Sequence, residues 1–265
     1  MQTSCETVKV HFQALGCRLN EAEQERWSNE FIARGYQLAR HSDEADLVVF
    51  NSCSVTAQAD RKSRQLINRI HKNNPQSRLV VTGCYASLQP QQVATQLGVD
   101  LVVSNDNKEQ LVDQVIEQFE LPQQLKTPPS MGQHSLFARG RHRAFIKVQD
   151  GCRYRCTFCI VTVARGEERS RPVKDIIAEI NRHHQRGVQE IVITGVHVGG
   201  YGSDLGANLY RLLSEILDNT SIPRIRLASV EPWDLPENFF SLFKDSRLMP
   251  HMHLPLQSGS DSVLR

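Results

Sequence analysis

The sequence has no apolar run approaching the roughly 18 residues of a membrane-spanning helix. Its first residues have neither the basic start nor the apolar core of a signal peptide. It also lacks a large excess of charge of one sign, because the formal net charge is only +2. We therefore expect a soluble cytoplasmic protein with no membrane partner, whose seven cysteines serve metals or catalysis rather than disulfides.

Three of the cysteines lie within eight residues, where Cys152, Cys156 and Cys159 form a Cys-x3-Cys-x2-Cys run. Three thiolates can bind three irons of a [4Fe–4S] cluster and leave the fourth iron open, as a radical enzyme needs in order to bind and reduce S-adenosylmethionine (SAM). We assign these cysteines as catalytic cluster ligands and Phe158 as a ring that packs against an adenine. The alternatives are zinc, which usually takes four ligands as two Cys-x2-Cys pairs, and cysteines with no metal role.

The first 120 residues alternate predicted strands and helices. Strands are predicted at 9–15, 46–51, 78–82 and 101–104, and helices at 59–71, 90–97 and 108–119. A further helix is expected to be capped by Asn20 and ended by Gly35. This alternation predicts an α/β domain over residues 1–120, with an open parallel sheet covered on both faces.

Cys17, Cys53 and Cys84 each follow one of the first three predicted strands, directly after a glycine or a serine. Open α/β sheets bind ligands beyond the carboxyl ends of their strands, and small residues let the backbone approach a bulky cofactor. We therefore predict a second cluster at this edge of the sheet; buried thiols without a metal are the alternative. Cys5 precedes the first strand and is predicted to have no such role.

Residues 121–143 contain three prolines and are predicted to be a linker. Strands are then predicted at 144–148, 190–196, 224–229 and 251–256, with helices between them. This pattern predicts that residues 144–265 form a partial βα barrel, whose active site collects at the carboxyl ends of its strands. Four strands cannot close a barrel, so the chain is expected to stop partway through the domain.

Several residues near the predicted strand ends are candidate cofactor contacts. Thr194 and Gly195 suit the methionine part of SAM, or form an ordinary turn. Gln257 and Ser258 suit ribose hydroxyls, although Gln-Ser-Gly is also a common turn composition. Glu231 is either a cofactor or substrate contact or a cap for the following turn.

The charge is concentrated in one segment. Residues 137–171 hold nine basic and three acidic residues and include the cysteine run. A solvated loop surface would explain such a stretch, but its position beside a cluster site favours a phosphate-rich substrate.

Eight motifs together resemble the methylthiotransferase family of radical SAM enzymes, over nearly the whole chain. They are Leu15-Gly-Cys-Arg-Leu-Asn20, Asn51-Ser-Cys-Ser-Val-Thr56, Val81-Thr-Gly-Cys-Tyr85, Gln149-Asp-Gly-Cys through Cys159, Ala164-Arg-Gly166, Arg169-Ser-Arg-Pro172, Thr194-Gly-Val-His-Val-Gly-Gly-Tyr-Gly202 and Leu254-Pro-Leu-Gln-Ser-Gly-Ser-Asp261. The resemblance implies that Cys17, Cys53 and Cys84 hold an auxiliary [4Fe–4S] cluster beside a SAM-cleaving [4Fe–4S] cluster on the run at 152–159. Family members replace a C–H bond with a methylthio group.

The stretch 194–202 most resembles the branch that modifies carbon 2 of N6-threonylcarbamoyladenosine at position 37 of tRNA. Other branches act on isopentenyladenosine of tRNA and on a ribosomal-protein aspartate, and these remain alternatives. The implied partners are a tRNA anticodon loop, with Arg165, Arg169 and Arg171 as phosphate contacts, and an electron donor such as a flavodoxin or ferredoxin. Family members usually continue into further barrel strands and a small RNA-binding β-barrel, so an inactive or RNA-binding truncated fragment is a further alternative.

Overall fold

The computed structural model of the chain describes residues 7–122 and 143–264. These residues form two compact units: residues 7–122 with Arg155–Gly166 make up the first, and residues 143–154 with 167–264 the second. The sequence predicts a single boundary near residue 143, whereas the structure assigns the segment 155–166 to the first unit. Most of the predicted linker and Cys5 lie outside the described residues.

Within residues 7–122 the structure has one parallel sheet of five strands in the order β2-β1-β3-β4-β5. The strands are β1 (Lys9–Ala14), β2 (Gln37–Leu38), β3 (Leu47–Ser52), β4 (Arg78–Gly83) and β5 (Leu101–Val103). Every residue of β3 is buried, as expected for a central strand with helices on both faces. The predicted open parallel α/β domain is confirmed.

Six helices accompany this sheet in the described part of the first unit. They are α1 (Arg18–Ala33), α2 (Ala57–Asn73), α3 (Cys84–Leu88), α4 (Pro90–Ala94), α5 (Leu111–Gln118) and α6 (Val161–Arg165). A 3₁₀ turn at Lys108–Gln110 leads into α5. Two apolar clusters hold the layers together, one around Trp27 and Phe31 and the other around Ile67 and Phe50.

The start of α1 differs from the sequence prediction. Cys17 occupies the N-cap position, and Asn20 lies inside the first turn. The Asn20 amide instead donates to the backbone oxygens of Leu15, at 2.8 Å, and Ser52, at 3.2 Å. Asn20 is therefore a link between two strand ends rather than a cap. The predicted end at Gly35 is confirmed, because Gly35 follows the C-cap residue with a φ of +92°.

The second unit contains three parallel strands among its described residues, in the order β10-β9-β6. These are β6 (Arg143–Lys147), β9 (Glu190–Thr194) and β10 (Arg224–Leu227), while β7 (Gln149–Asp150) and β8 (Arg169–Ser170) form an antiparallel pair. The helices are α7 (Val173–Gln185), α8 (Leu209–Asn219) and α9 (Asp261–Leu264). This arrangement agrees with a partial βα barrel.

Two elements of the second unit are less regular than predicted. The expected fourth strand at 251–256 is reduced to an isolated parallel bridge between Ser229 and His253. One of the helices expected between the predicted strands, after the strand at 224–229, is instead a 3₁₀ helix, Phe239–Lys244. Among all the described residues, no helix is both long enough and apolar enough to cross a membrane.

Two helix N-caps give a direct test of these helix starts. The Thr56 hydroxyl accepts from the Ala59 N–H at 3.1 Å, and the Asn208 amide oxygen accepts from the Arg211 N–H at 2.9 Å. We expect Thr56→Ala and Asn208→Ala each to lower the free energy of unfolding by about 1 kcal/mol, since a helix-end N–H loses its partner. Urea unfolding measures this, with Thr56→Ser and Asn208→Asp as oxygen-retaining controls. Alanine variants as stable as these controls would contradict the cap assignment.

Candidate functional site

The first unit brings three predicted ligands to one edge of its sheet. Cys17 follows β1, Cys53 follows β3 and Cys84 follows β4, and these strands are direct neighbours. Cys53 and Cys84 are buried and Cys17 is exposed; all six cysteines within the described ranges are free thiols. The parallel sheet thus places the three thiols beyond the carboxyl ends of adjacent strands, where such folds bind ligands.

Cys53 packs closely against the loop that carries Cys17. Gly16 has a φ of +112°, and a Cβ added there would lie 2.8 Å from the Cys53 sulfur. Only glycine therefore suits this position, both for its backbone conformation and for the approach of Cys53. Burial raises the pKa of the Cys53 thiol, and the charges of Cys84 and Cys17 raise it further. A cofactor that binds all three as thiolates would offset this electrostatic cost.

The chemistry of the donor set is compatible with an iron–sulfur cluster. The thiolates around a cubane each bind a different iron. Three thiols that follow neighbouring strands at one sheet edge supply donors of the type that such a cluster takes.

A buried polar network lies beside these cysteines. Glu23 is 4% exposed and accepts from Lys108 Nζ at 2.5 Å and from Arg165 at 3.0 Å. Its other carboxylate oxygen accepts from the Asn51 amide at 3.0 Å. We name Asn20, Glu23, Asn51, Asn105, Lys108 and Arg165 the buried network.

This network corrects the sequence interpretation of Arg165. Its guanidinium is 2% exposed and bonds to Glu23 and, at 2.8 Å, to the Asn20 side-chain oxygen. A phosphate group of an RNA cannot reach a cation in this position. Arg165 is an internal residue of the first unit, and the basic segment thus contains at least one charge with a structural role.

The segment of the cysteine run after Tyr154 also belongs to the first unit. Cys156 and Cys159 are exposed, and the Cys159 N–H donates to the Cys156 carbonyl at 3.0 Å. Phe158 lies between them and is 73% exposed, so its ring is available to pack against a ligand. These features agree with a ligand-binding turn.

Cys152 belongs to the second unit, where Gln149 fixes the chain that leads to it. The fully buried Gln149 side chain accepts from the backbone N–H groups of Val196, at 3.0 Å, and His197, at 2.8 Å. It donates to the carbonyls of Asp150, at 2.9 Å, and Gly151, at 2.6 Å. One side chain thus joins the residues before Cys152 to the turn after β9.

The predicted SAM contacts Thr194 and Gly195 lie at this turn. Thr194 is buried at the end of β9, and a Cβ on Gly195 would lie 3.0 Å from the Gln149 side-chain oxygen. Thr194 and Gly195 lie at the carboxyl end of a strand, as expected, and they pack against other residues of the chain. The absence of a side chain at Gly195 allows the close approach of Gln149.

A buried histidine between carboxylates follows the same strand. His197 Nε2 lies 2.7 Å from Asp234 and 3.8 Å from Glu231, and its Nδ1 lies 3.4 Å from Glu168. Arg153 pairs with Glu168 at 3.0 Å and with Asp234 at 2.5 Å. Arg153 directly follows Cys152 in the sequence, and Gln149 precedes it. The ion pairs of Arg153 therefore fix the chain after Cys152, as the hydrogen bonds of Gln149 fix the chain before it.

Glu231 does not cap the turn that follows it, because its side chain makes no capping hydrogen bond there. It accepts from the Gly199 N–H at 3.3 Å instead. Burial raises the pKa of Glu231 above its ordinary value, although its hydrogen bonds and His197 oppose the increase. A half-buried carboxylate beyond the end of β10 remains a candidate contact for a cofactor or substrate.

The remaining predicted contacts have mixed placements. Gln257 is exposed with a φ of +66°, and the Ser258 hydroxyl accepts from the Ser260 N–H at 3.1 Å, as in a turn. Arg171 donates to the Lys147 carbonyl at 2.5 Å and to Glu179 at 2.6 Å, which gives it a structural role. Arg169, in β8, is exposed.

Sequence reasoning missed the residues that hold the cysteines in place. These are Glu23, Asn105 and Lys108 in the first unit, and Gln149, Arg153, Glu168, His197 and Asp234 in the second. A weak signal exists for Gln149, Arg153 and His197, which lie within the quoted motifs. The others are ordinary polar residues in the sequence, and nothing local distinguishes them from solvated ones.

The role of Gln149 can be tested by Gln149→Leu, which removes an amide NH₂ group that donates two hydrogen bonds and an oxygen that accepts two. We expect the free energy of unfolding to fall by about 2–3 kcal/mol, because the freed N–H and C=O groups stay desolvated. Urea unfolding of the cluster-free protein measures this effect. Gln149→Glu is the matched control, since it keeps the acceptor for Val196 and His197. If the leucine variant is as stable as the parent, the four bonds do not hold this turn.

Two family models match separate parts of the chain. Residues 9–104 match the uncharacterized protein family UPF0004, and residues 146–265 match the radical SAM superfamily. Cys17, Cys53 and Cys84 fall within the first match, and the run at 152–159 within the second.

Curated relatives cover the chain almost end to end. It is 37% identical to the threonylcarbamoyladenosine tRNA methylthiotransferase MtaB of Aquifex aeolicus, over 97% of this chain and 65% of that protein. For MtaB of Bacillus subtilis the identity is 35%, over 97% of this chain and 59% of that protein. For a tRNA-2-methylthio-N(6)-dimethylallyladenosine synthase of Thermodesulfovibrio yellowstonii it is 31%, over 97% and 61%. The chain thus spans 59–65% of the length of these relatives.

Among solved structures, the fold is similar to a radical SAM methyltransferase, TsrM, from Kitasatospora setae, with a TM-score of 0.67. That match covers 97% of this chain and 61% of TsrM at 14% identity. At this identity the likeness concerns the fold alone.

Proposed function

We propose that the chain acts in a tRNA methylthiotransferase, because residues 9–104 match the UPF0004 family and residues 146–265 match the radical SAM superfamily. The proposed reaction adds a methylthio group to carbon 2 of N6-threonylcarbamoyladenosine at position 37 of tRNA. One observation carries this proposal: three thiols, from Cys17, Cys53 and Cys84, lie together at the carboxyl edge of the first sheet, in addition to the cysteine run.

The two cysteine sets would hold different clusters. Cys152, Cys156 and Cys159 would hold the [4Fe–4S] cluster that radical SAM proteins use with SAM, and Cys17, Cys53 and Cys84 a second one. When bound, these groups supply the radical and sulfur chemistry that an unactivated aromatic C–H bond requires. Three thiolates at each site leave one iron of each cluster without a protein ligand.

The residues around the clusters would bind and orient the reactants. Phe158 offers an exposed ring to an adenine, and Glu231 offers a half-buried carboxylate beyond β10. Gln149 and Arg153 fix the chain on either side of Cys152. Positions fixed in this way favour transfer between held groups over side reactions, since proximity converts a bimolecular step into an effectively unimolecular one.

The relatives favour threonylcarbamoyladenosine over isopentenyladenosine as the substrate. The MtaB proteins cited above are 35–37% identical to this chain, whereas the dimethylallyladenosine synthase is 31% identical. The proposed partners are a tRNA anticodon loop, whose phosphates Arg169 would contact, and an electron donor such as a flavodoxin or ferredoxin. Such a protein would work in the cytoplasm, where tRNA is modified.

Mass spectrometry of tRNA nucleosides tests this proposal in cells that lack the gene. We expect selective loss of the methylthio group from threonylcarbamoyladenosine, restored by the wild-type gene but not by one encoding Cys152→Ala. Persistence of that nucleoside with loss of methylthio-isopentenyladenosine would overturn the substrate assignment. If both nucleosides persist, the proposed activity on tRNA is wrong.

A further inference from the structure

Arg165 connects the cysteine run to the auxiliary cysteines within the first unit. It is the last residue of α6, which begins two residues after Cys159. Its two terminal nitrogens bind different partners, Glu23 at 3.0 Å and Asn20 at 2.8 Å. Because guanidinium is a rigid planar fork, both bonds fix its orientation and hence the end of α6.

One of these partners lies between two auxiliary cysteines. The side-chain oxygen of Asn20 lies 3.8 Å from the Cys17 sulfur, within hydrogen-bonding distance for sulfur. Its amide nitrogen donates to the Ser52 carbonyl at 3.2 Å, directly before Cys53. Asn20 thus joins the loops that carry Cys17 and Cys53, and Arg165 binds the same amide.

A second amide reaches the third auxiliary cysteine. Asn105 Nδ2 donates to the carbonyl of Ala164 in α6 at 2.6 Å and lies 4.0 Å from the Cys84 sulfur. Helix α3, which begins at Cys84, also packs against α6. The end of α6 is therefore held on two sides by groups that touch the auxiliary cysteines.

The other end of α6 is continuous with the turn of the cysteine run. The Cys159 N–H donates to the Cys156 carbonyl at 3.0 Å, and the Ala164 N–H donates to the Ile160 carbonyl at 3.0 Å. With only five residues, α6 has no room to absorb a displacement between its two ends. A shift at Arg165 is thus transmitted to Cys156 and Cys159.

We propose that Arg165 is a positioning residue that couples the two cluster sites, so that the Cys156–Cys159 turn depends on the same contacts as the auxiliary cysteines. This inference rests on the proposed function, which supplies a cluster at each site. Arg165 touches no reactant in this role. It acts through Asn20 and Glu23 on one side and through α6 on the other.

Lys108 provides a matched comparison. Like Arg165, it is buried and pairs with Glu23, at 2.5 Å. Lys108→Met and Arg165→Met therefore each remove one of two cations from the same carboxylate. Only Arg165 lies on α6, so the two variants differ in whether the cysteine run loses a direct contact.

The experiment measures iron release to a chelator under anaerobic conditions, in two backgrounds of the full chain. In one, Cys17, Cys53 and Cys84 are replaced by alanine, which leaves only the cluster on the run at 152–159. In the other, Cys152, Cys156 and Cys159 are replaced, which leaves only the auxiliary cluster. The electron paramagnetic resonance spectrum of the reduced cluster with SAM gives a second readout in the first background, and thermal unfolding monitors the fold.

In the first background we expect Arg165→Met to shorten the half-life of the cluster about tenfold and to alter the electron paramagnetic resonance spectrum with SAM. We expect Lys108→Met to change the half-life less than about twofold. In the second background both variants are expected to accelerate iron loss. Arg165→Lys keeps a cation beside Glu23 but lacks the fork. If Arg165→Met does not fold, Arg165→Lys is used in its place. We expect Arg165→Lys to shorten the half-life of the cluster more than about twofold.

Equal half-lives for the Arg165 and Lys108 variants in the first background would overturn the coupling alone. An unchanged half-life for the Arg165 variant would do the same. If replacing Cys17, Cys53 and Cys84 does not lower the iron content, the second cluster of the proposed function is wrong, and the coupling falls with it. The two failures are therefore distinguishable.

Discussion

Cys53→Ala is expected to remove about four of about eight irons per chain, while the proposed SAM cleavage continues. Cys53 is buried, and its sulfur lies so close to Gly16 that a Cβ added there would be 2.8 Å away. Loss of one of three thiolates leaves a second iron without a protein ligand and makes the cluster labile. Iron analysis and 5′-deoxyadenosine formation, both on anaerobically purified protein, measure the two effects.

Two matched variants complete this test. Cys152→Ala is expected to remove a similar amount of iron but to abolish 5′-deoxyadenosine formation, because the run at 152–159 would hold the cluster used with SAM. Cys5→Ala is expected to change neither quantity, since that cysteine precedes the first strand in the sequence. If Cys53→Ala retains all the iron of the parent, the auxiliary cluster assignment is wrong.

Glu23→Gln is expected to lower the free energy of unfolding by about 3–5 kcal/mol, because it leaves two buried cations without their shared carboxylate. Lys108 is 1% exposed and Arg165 is 2% exposed, so solvent cannot replace the lost partner. The glutamine keeps the size of the side chain and one hydrogen-bond acceptor. The loss is therefore electrostatic rather than a packing defect, and urea unfolding of the cluster-free protein measures it.

The same chemical change at an exposed ion pair is the control. Glu109 pairs with Arg26, and its side chain is 54% exposed. Glu109→Gln is expected to cost less than about 1 kcal/mol, because exposed pairs are screened by water and salt. A Glu23→Gln protein as stable as the Glu109→Gln protein would show that the buried network does not depend on its carboxylate.

The sequence alone determined where four of the five described strands of the first unit lie and which thiols follow them, but it did not predict the two-residue strand β2. Predicted strands at 46–51 and 78–82 correspond to β3 (Leu47–Ser52) and β4 (Arg78–Gly83). These positions were predictable because an apolar run bounded by polar residues is a local signal. The edge shared by Cys17, Cys53 and Cys84 then follows from parallel pairing, which aligns the carboxyl ends of the strands.

Only the tertiary structure decided what the polar residues around those thiols do. Asn20 has the sequence signal of a helix cap and Arg165 that of a phosphate contact, yet they bind each other across 145 residues of chain. The Gln149 side-chain oxygen likewise accepts a hydrogen bond from the His197 N–H, 48 residues away in the chain. A polar side chain carries no local mark of its partner, because the partner is set by how distant segments pack. The positions of the cysteines can therefore be predicted from the local sequence, whereas the network of polar contacts that holds each cysteine forms only when the chain folds.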